Sequence, residues 1–277
     1  MLDPTTPHRI SDKDRPVDLD KSRTRHRTRL LIALLLLCIA VVSLATAWTR
    51  AAAAGSTVRV APVYDPPVLA GQMASSWCGG GVYARRGDVI VLTSSGHCAP
   101  EGDALYDPDG SIAGVWGPIS TAATCPHPGY RCTASDMNYL IVAPDRIPWG
   151  HLNEIDMGAG GYRVVSPGLK PLECDEIGVN DDIEFDGRGI YRKGRVLGQR
   201  EYLPPATVDA IYFPCIVIAD ITVATGDSGG VVLVRGIPSG IASRRFGDLI
   251  GFTPLGSGLV ELGVSICDTP NCELTPP

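Results

Sequence analysis

The sequence has no C-x-x-C pair, no Cys/His cluster with zinc spacing, no internal repeat and few long helical patterns. The first two absences leave no zinc-spaced site, so no metal is expected on the cysteines, and none of the readings below calls for a cofactor. The last two argue against solenoids and against strands alternating with crossover helices. Basic residues do not form a stripe. Residues 1–29 carry eight Lys/Arg against five Asp, so the remainder of a chain of net charge −6 holds −9. An acidic body argues against nucleic acid as a partner. Charged residues make up only 19% and hydrophobic ones 44%, which is a globular balance rather than a disordered one. What is plentiful is Gly (32) and Pro (23), the punctuation of many short strands and turns.

Residues 1–29 read as a polar cytoplasmic tail ending in the cationic run 21–29. Leu30 to Trp48 then passes without a charged side chain. A helix of that length spans about 28 Å, close to the hydrocarbon core of a bilayer. With the Arg cluster on its cytoplasmic side and Trp48 placed like an interfacial aromatic, residues 30–50 are expected to be one transmembrane signal anchor. A cleaved signal peptide is the alternative, since 45–47 and 52–54 offer A-x-A-like sites. Residues 51–70 are an Ala-, Pro- and Gly-rich linker. The chain after residue 70 is expected on the extracytoplasmic side of the membrane, or secreted if the anchor is cut.

Eight cysteines come after Cys38, an even number that suits disulfides in an exported domain. The close pairs suggest Cys125–Cys132 and Cys267–Cys272, which leaves Cys78–Cys98 and Cys174–Cys215. From about residue 71 the pattern is short strands, notably 88–95, 138–143, 162–166, 190–197, 207–213, 216–223, 231–235 and 240–243. A Pro/Gly-rich stretch at 148–161 looks like an internal boundary. Only the end reads as helix, with Leu255, Leu259 and Leu262 on one face after Pro254.

Thr225-Gly226-Asp227-Ser228-Gly229-Gly230 sits between the apolar runs Ile216-Val217-Ile218 and Val231-Val232-Leu233-Val234. Glycines on both sides of the serine allow a sharp turn and a close approach, and N–H groups of such a turn can converge on an oxyanion. The competing reading is a Gly-rich hairpin with an incidental serine. A nucleophilic serine needs a base. All five histidines (His8, His26, His97, His127, His151) precede Ser228, which excludes the chain order Ser…Asp…His. His97 ends the apolar strand Val91-Leu92-Thr93-Ser94-Ser95-Gly96-His97-Cys98, held by a glycine before and a cysteine after. Asp136 heads Ser135-Asp136-Met137-Asn138-Tyr139-Leu140-Ile141-Val142. It is the candidate for orienting the imidazole.

Together these three segments resemble the catalytic boxes of the chymotrypsin-like (trypsin-like) serine peptidases. Trp77-Cys78-Gly79-Gly80-Gly81-Val82 resembles the family's cysteine strand. Phe252-Thr253-Pro254-Leu255 with Leu259-Val260-Glu261-Leu262-Gly263-Val264 is similar to the end of the bacterial, streptogrisin-like branch. The resemblance covers about residues 71–266. It implies an all-β fold of two antiparallel six-stranded β-barrels with a short C-terminal helix, all within a peptidase domain at 71–277. Barrel one would fall at about 71–148, barrel two at about 161–266, with the site between them. It also implies a serine endopeptidase with Ser228 as nucleophile, His97 as base then acid, and Asp136 as its orienter, which the anchor at 30–50 would tether to the membrane. Gly226 and Ser228 N–H groups would form the oxyanion hole, with Asp227 structural. Thr222 and Ser243 would bind substrate, a protein or peptide chain. Three departures stand out. Pro67 precedes Val68-Leu69-Ala70-Gly71, so trypsin-type activation is not expected and an internal Arg is expected on Asp227. Thr222 is not an acid, so Lys/Arg preference is not expected. Arg244 and Arg245 stand where small or apolar residues are usual. A non-catalytic or latent binding module on the same fold is the alternative function.

Overall fold

The computed structural model describes residues 73–75, 78–107, 110–122, 125–187, 189–205, 210–270 and 272. The tail, the apolar run and the linker at 1–70 lie outside the described residues. Among those described, no helix is long and apolar enough to cross a membrane.

The elements in chain order are β1 (Met73–Ser75), β2 (Cys78–Gly79), β3 (Tyr83–Arg86), β4 (Val89–Ser95), β5 (Ala104–Tyr106), β6 (Ile112–Trp116), β7 (Arg131–Cys132) and β8 (Met137–Val142). Then come β9 (Glu154–Asp156), β10 (Tyr162–Val164), β11 (Asp182–Gly187), β12 (Ile190–Tyr202), β13 (Ile211–Thr222), β14 (Val231–Val234), β15 (Ile237–Phe246) and β16 (Leu249–Pro254). Helix α1 (Leu255–Leu262) and β17 (Ser265–Ile266) end the described chain apart from short turns.

The C-terminal half closes on itself. The order β12-β11-β14-β15-β16-β13 is completed by a β12–β13 pairing, which makes a six-stranded antiparallel barrel with β7 added parallel to β13. Its centre is aliphatic and aromatic, with Phe185, Val217, Val232 and Phe252 all fully buried. Fully burying one such side chain contributes about 1.5–3 kcal/mol. β14 is the run Val-Val-Leu-Val, buried on both faces, as a central strand between two cores must be.

The N-terminal half differs from the expected first barrel. It is a six-stranded sheet in the order β17-β3-β4-β8-β6-β5, and no pairing between its edges β17 and β5 closes it among the described residues. Those edge strands have only two and three residues, too few ladder positions to bridge a gap. One of its strands, β17, returns from the C-terminus. The 148–161 boundary holds β9, which pairs with β10 as a separate two-stranded ribbon. The two strands expected at 207–213 and 216–223 are one, β13, running through an exposed Pro214. The register slips there, between the Phe213 and Ile216 pairings, and such an irregularity is where a strand tolerates a missing N–H.

Helix α1 forms where its Leu face predicts it, burying Leu255, Leu259 and Leu262 and ending at Gly263 in the left-handed conformation. It packs onto the start of β8 so closely that a Cβ on Gly258 would fall 2.1 Å from Met137 Sδ. Glu261 accepts from Thr133 Oγ1 (2.6 Å) and the Ala134 N–H (2.8 Å), fixing the segment that leads to Asp136. All four disulfides carry the expected pairings, Cys78–Cys98, Cys125–Cys132, Cys174–Cys215 and Cys267–Cys272.

Candidate active site

β4 is buried from Ile90 through Ser95 and delivers His97 just past its end. Three ties hold that end. Cys98 is bridged to Cys78, Ser94 Oγ donates to Gly79 O (2.8 Å), and the Gly96 N–H donates to Asp136 O (3.0 Å). A side chain on Gly96 would crowd Asp136 Oδ1 at 2.9 Å, so the glycine lets the two segments approach.

The approach brings His97 Nδ1 to 2.6 Å from Asp136 Oδ2, where the ring N–H donates to the carboxylate. The same oxygen accepts from Ser243 Oγ (2.5 Å) and Ser95 Oγ (2.9 Å). The Asp136 N–H donates to Thr253 Oγ1 (3.1 Å). Asp136 is 1% exposed. Burial alone would raise its pKa. The hydrogen bond and charge of His97, then the charge of Arg244 and the Ser243 hydroxyl, outweigh that and hold it below the ordinary value. The carboxylate's stabilising contribution is therefore present above the unfolded-state pKa and lost only as pH falls through the lower folded value.

Ser228 rides on the turn between β13 and β14. Gly226 and Gly229 have φ of 97° and 88°, which side-chain-bearing residues rarely adopt. The Asp227 carboxylate accepts from the Ala224 N–H (2.8 Å) and Arg192 Nη1 (3.1 Å) through Oδ2. Arg192 lies opposite Phe185 in the β11–β12 ladder, with its guanidinium over that ring. It is the internal arginine that the sequence left unnamed. The Ser228 carbonyl accepts from the Gly79 N–H (2.6 Å), tying the turn to the cysteine strand β2. Among the described residues, no protein acceptor takes the Gly226 or Ser228 N–H. A Cβ on Gly229 would fall 2.3 Å from both Gly79 O and Ser94 Oγ. Gly229→Ala is expected to destabilise by about 3 kcal/mol through strain and overpacking, read as a lower urea midpoint at unchanged slope.

Ser228 and His97 line one cleft of about 310 Å³, with Cys78, Cys98, Gly226, Ser243 and other residues of the β13–β14 turn and β15. Among the described residues no hydrogen bond joins the Ser228 hydroxyl to the imidazole. Such bonds are often long in resting sites and tighten with substrate.

No protein-family model matches the chain, and no curated protein matches it. Solved structures do. Thermobifida fusca Protease A aligns at 16% identity over 72% of this chain and 98% of its own, with a TM-score of 0.54. Nocardiopsis protease aligns at 15% over 72% and 98%, with a TM-score of 0.53. Cellulomonas bogoriensis chymotrypsin aligns at 16% over 73% and 100%, with a TM-score of 0.52. The chain has the fold of the bacterial chymotrypsin-like serine proteases.

One expectation about this cleft changes. Thr222 is exposed and does not line it; its neighbour Val223 is buried and does. Side chains alternate along a strand, so a phase error of one residue exchanges wall for exterior. Ser243 lines the cleft but spends its hydroxyl on Asp136. Sequence reasoning also missed Ser95, which contacts both His97 Nδ1 (2.8 Å) and Asp136, although it lies two residues from His97.

Behind the serine turn, Asp186 is 1% exposed. Burial, reinforced by the charge of Asp156, pushes its pKa up to about 6, against the Gly189 N–H and Arg192. A carboxyl with a raised folded pKa costs the native state nothing at acid pH. Stability then falls as pH rises from the unfolded value, near 3.8, to about 6. Asp186→Asn is expected to remove this decline, of the order of 3 kcal/mol, in urea unfolding compared at pH 4 and pH 8.

Proposed function

We propose that the protein is a serine endopeptidase that hydrolyses peptide bonds through an acyl-enzyme. The observation that carries this reading is the 2.6 Å bond from His97 Nδ1–H to Asp136 Oδ2 at the edge of the cleft that Ser228 lines. With Nδ1–H committed to the carboxylate, Nε2 is left as the acceptor on a ring that lines the same cleft as Ser228. Ser228 Oγ attacks the substrate carbonyl while Nε2 takes its proton. Asp136 stabilises the imidazolium that forms. The Gly226 and Ser228 N–H groups receive the negative oxygen, on a turn held by the Arg192–Asp227 pair. Collapse expels the amine, to which His97 returns the proton, and water repeats the sequence to release the acid.

In this reading residues 71–277 form the peptidase domain. The N-terminal sheet serves as an incompletely closed first barrel. Four disulfides support export, because such bonds persist in oxidising compartments. The charge-free run Leu30–Trp48 after a cationic stretch supports a membrane tether with the catalytic domain outside.

A fluorophosphonate probe tests the chemistry. Incubated with the full chain, it should add one phosphonyl group to the peptide containing Ser228 and none to Ser228→Ala. A folded, disulfide-bonded protein that takes up no probe would contradict the reading.

A further inference from the structure

The charged side chains lining the cleft are unequal in availability. Apart from His97 they are Asp227, Arg244 and Arg245. Asp227 is 2% exposed and its carboxylate is committed to Arg192 and the Ala224 N–H. The cations are not so committed. The Arg244 guanidinium lies over the Phe213 ring, 5.4 Å from its centroid, and its Nε is buried without a hydrogen-bond partner among the described residues. The nearest carboxylate atom is Asp136 Oδ2 at 4.0 Å, beyond hydrogen-bond reach and already accepting three donors. Arg245 is exposed, and its side chain makes no ion pair or hydrogen bond among the described residues. A buried N–H without a partner is costly, and a guanidinium is shaped for two parallel bonds to a carboxylate.

The backbone beside these residues is open. β15 pairs with β14 only as far as Ile241, and Ala242 bonds to Gly229 and Gly230. From Ser243 onward, β15 has a partner only on its β16 edge among the described residues. A bulge between Ala242 and Arg244 re-aims the side chains there. An extended peptide can add to the open edge, which sets its residues alongside Arg244 and Arg245 while its carbonyl lies at Ser228. The hollow next to this edge is lined by the apolar Val223, Ala242 and Ile250, with no free acid among the described residues to receive a basic side chain. The chain beyond residue 29 carries net −9, so a cationic cleft stands out against an acidic body and draws anionic segments toward it.

We propose that the cleft selects peptides carrying a Glu or Asp side chain within the three residues on the acyl side of the scissile bond, held by Arg244 and Arg245. This rests on the hydrolase reading above and names its substrate class. The matched pair Glu and Gln, equal in shape and different in charge, tests it. The full chain is first titrated with the fluorophosphonate probe to count active sites. kcat/KM is then measured on a peptide set in which Glu or Gln stands at each of those three positions in turn.

At one position Glu is expected to exceed Gln by about ten- to a hundredfold. That ratio should shrink in high salt and fall toward one in Arg244→Gln/Arg245→Gln. Taking the ratio cancels any general slowing caused by loss of the Arg244 charge near Asp136. Should the double variant fail to fold, Arg245→Gln, altered at an exposed position, should still lower the ratio. Charge reversal by Arg245→Glu should move the preference toward Lys. Titrated enzyme that cleaves Glu and Gln peptides equally overturns the substrate class and leaves the hydrolase reading standing. Wild-type protein that takes up no probe overturns both.

Discussion

Asp136→Asn is expected to lower kcat/KM by about 10⁴-fold at neutral pH, and to lower the urea midpoint as well, because a buried carboxylate held below its ordinary pKa contributes stability there. The expectation comes from what one oxygen does. Asp136 Oδ2 accepts from His97 Nδ1, Ser243 Oγ and Ser95 Oγ. An amide of the same shape removes the negative charge against which the imidazolium forms. Turned with its NH₂ toward His97, it would also force the ring proton onto Nε2, the nitrogen that has to accept from Ser228. Shape is kept and charge is lost, so the rate should fall far more than the stability. A variant within tenfold of wild type would mean that the pair orients a surface histidine and nothing more.

The second large effect lies on the other side of the serine. Arg192→Met is expected to cost about 3–5 kcal/mol of stability, because it strands the Asp227 carboxylate in the interior. Arg192 Nη1 is 3.1 Å from Asp227 Oδ2, and the two side chains are 20% and 2% exposed. The turn that aims the Gly226 and Ser228 N–H groups is built on that carboxylate, so kcat should also fall, by about 10²-fold. Adding Asp227→Asn separates the two losses. The double variant removes the stranded charge and should regain much of the stability. It should not regain the rate, because the neutral amide no longer anchors the turn as the ion pair did. Recovery of both together would mean that the pair serves folding alone.

Local signals made much of this site legible. A glycine-boxed serine and a histidine on an apolar strand with a cysteine after it are short-range patterns. They mark places where backbone geometry restricts residue choice. The Leu255, Leu259 and Leu262 face predicted α1, and the cysteine spacing anticipated all four disulfides. What stayed hidden depends on long-range register. Arg192 reaches Asp227 across 35 residues because the β11–β12 ladder sets it opposite Phe185, and no nearby pattern encodes that. Thr222 and Val223 exchange roles through a one-residue phase in a strand end. Closure of the N-terminal sheet was expected from resemblance and is not seen among the described residues, since it depends on edges of two and three residues.

The most direct test of the central claim is peptide hydrolysis by the purified full chain beside its Ser228→Ala variant, both folded and disulfide-bonded. If Ser228 is the nucleophile activated by His97 and Asp136, the variant should lose at least about 10⁴-fold in kcat/KM. Equal rates in the two proteins would contradict the account.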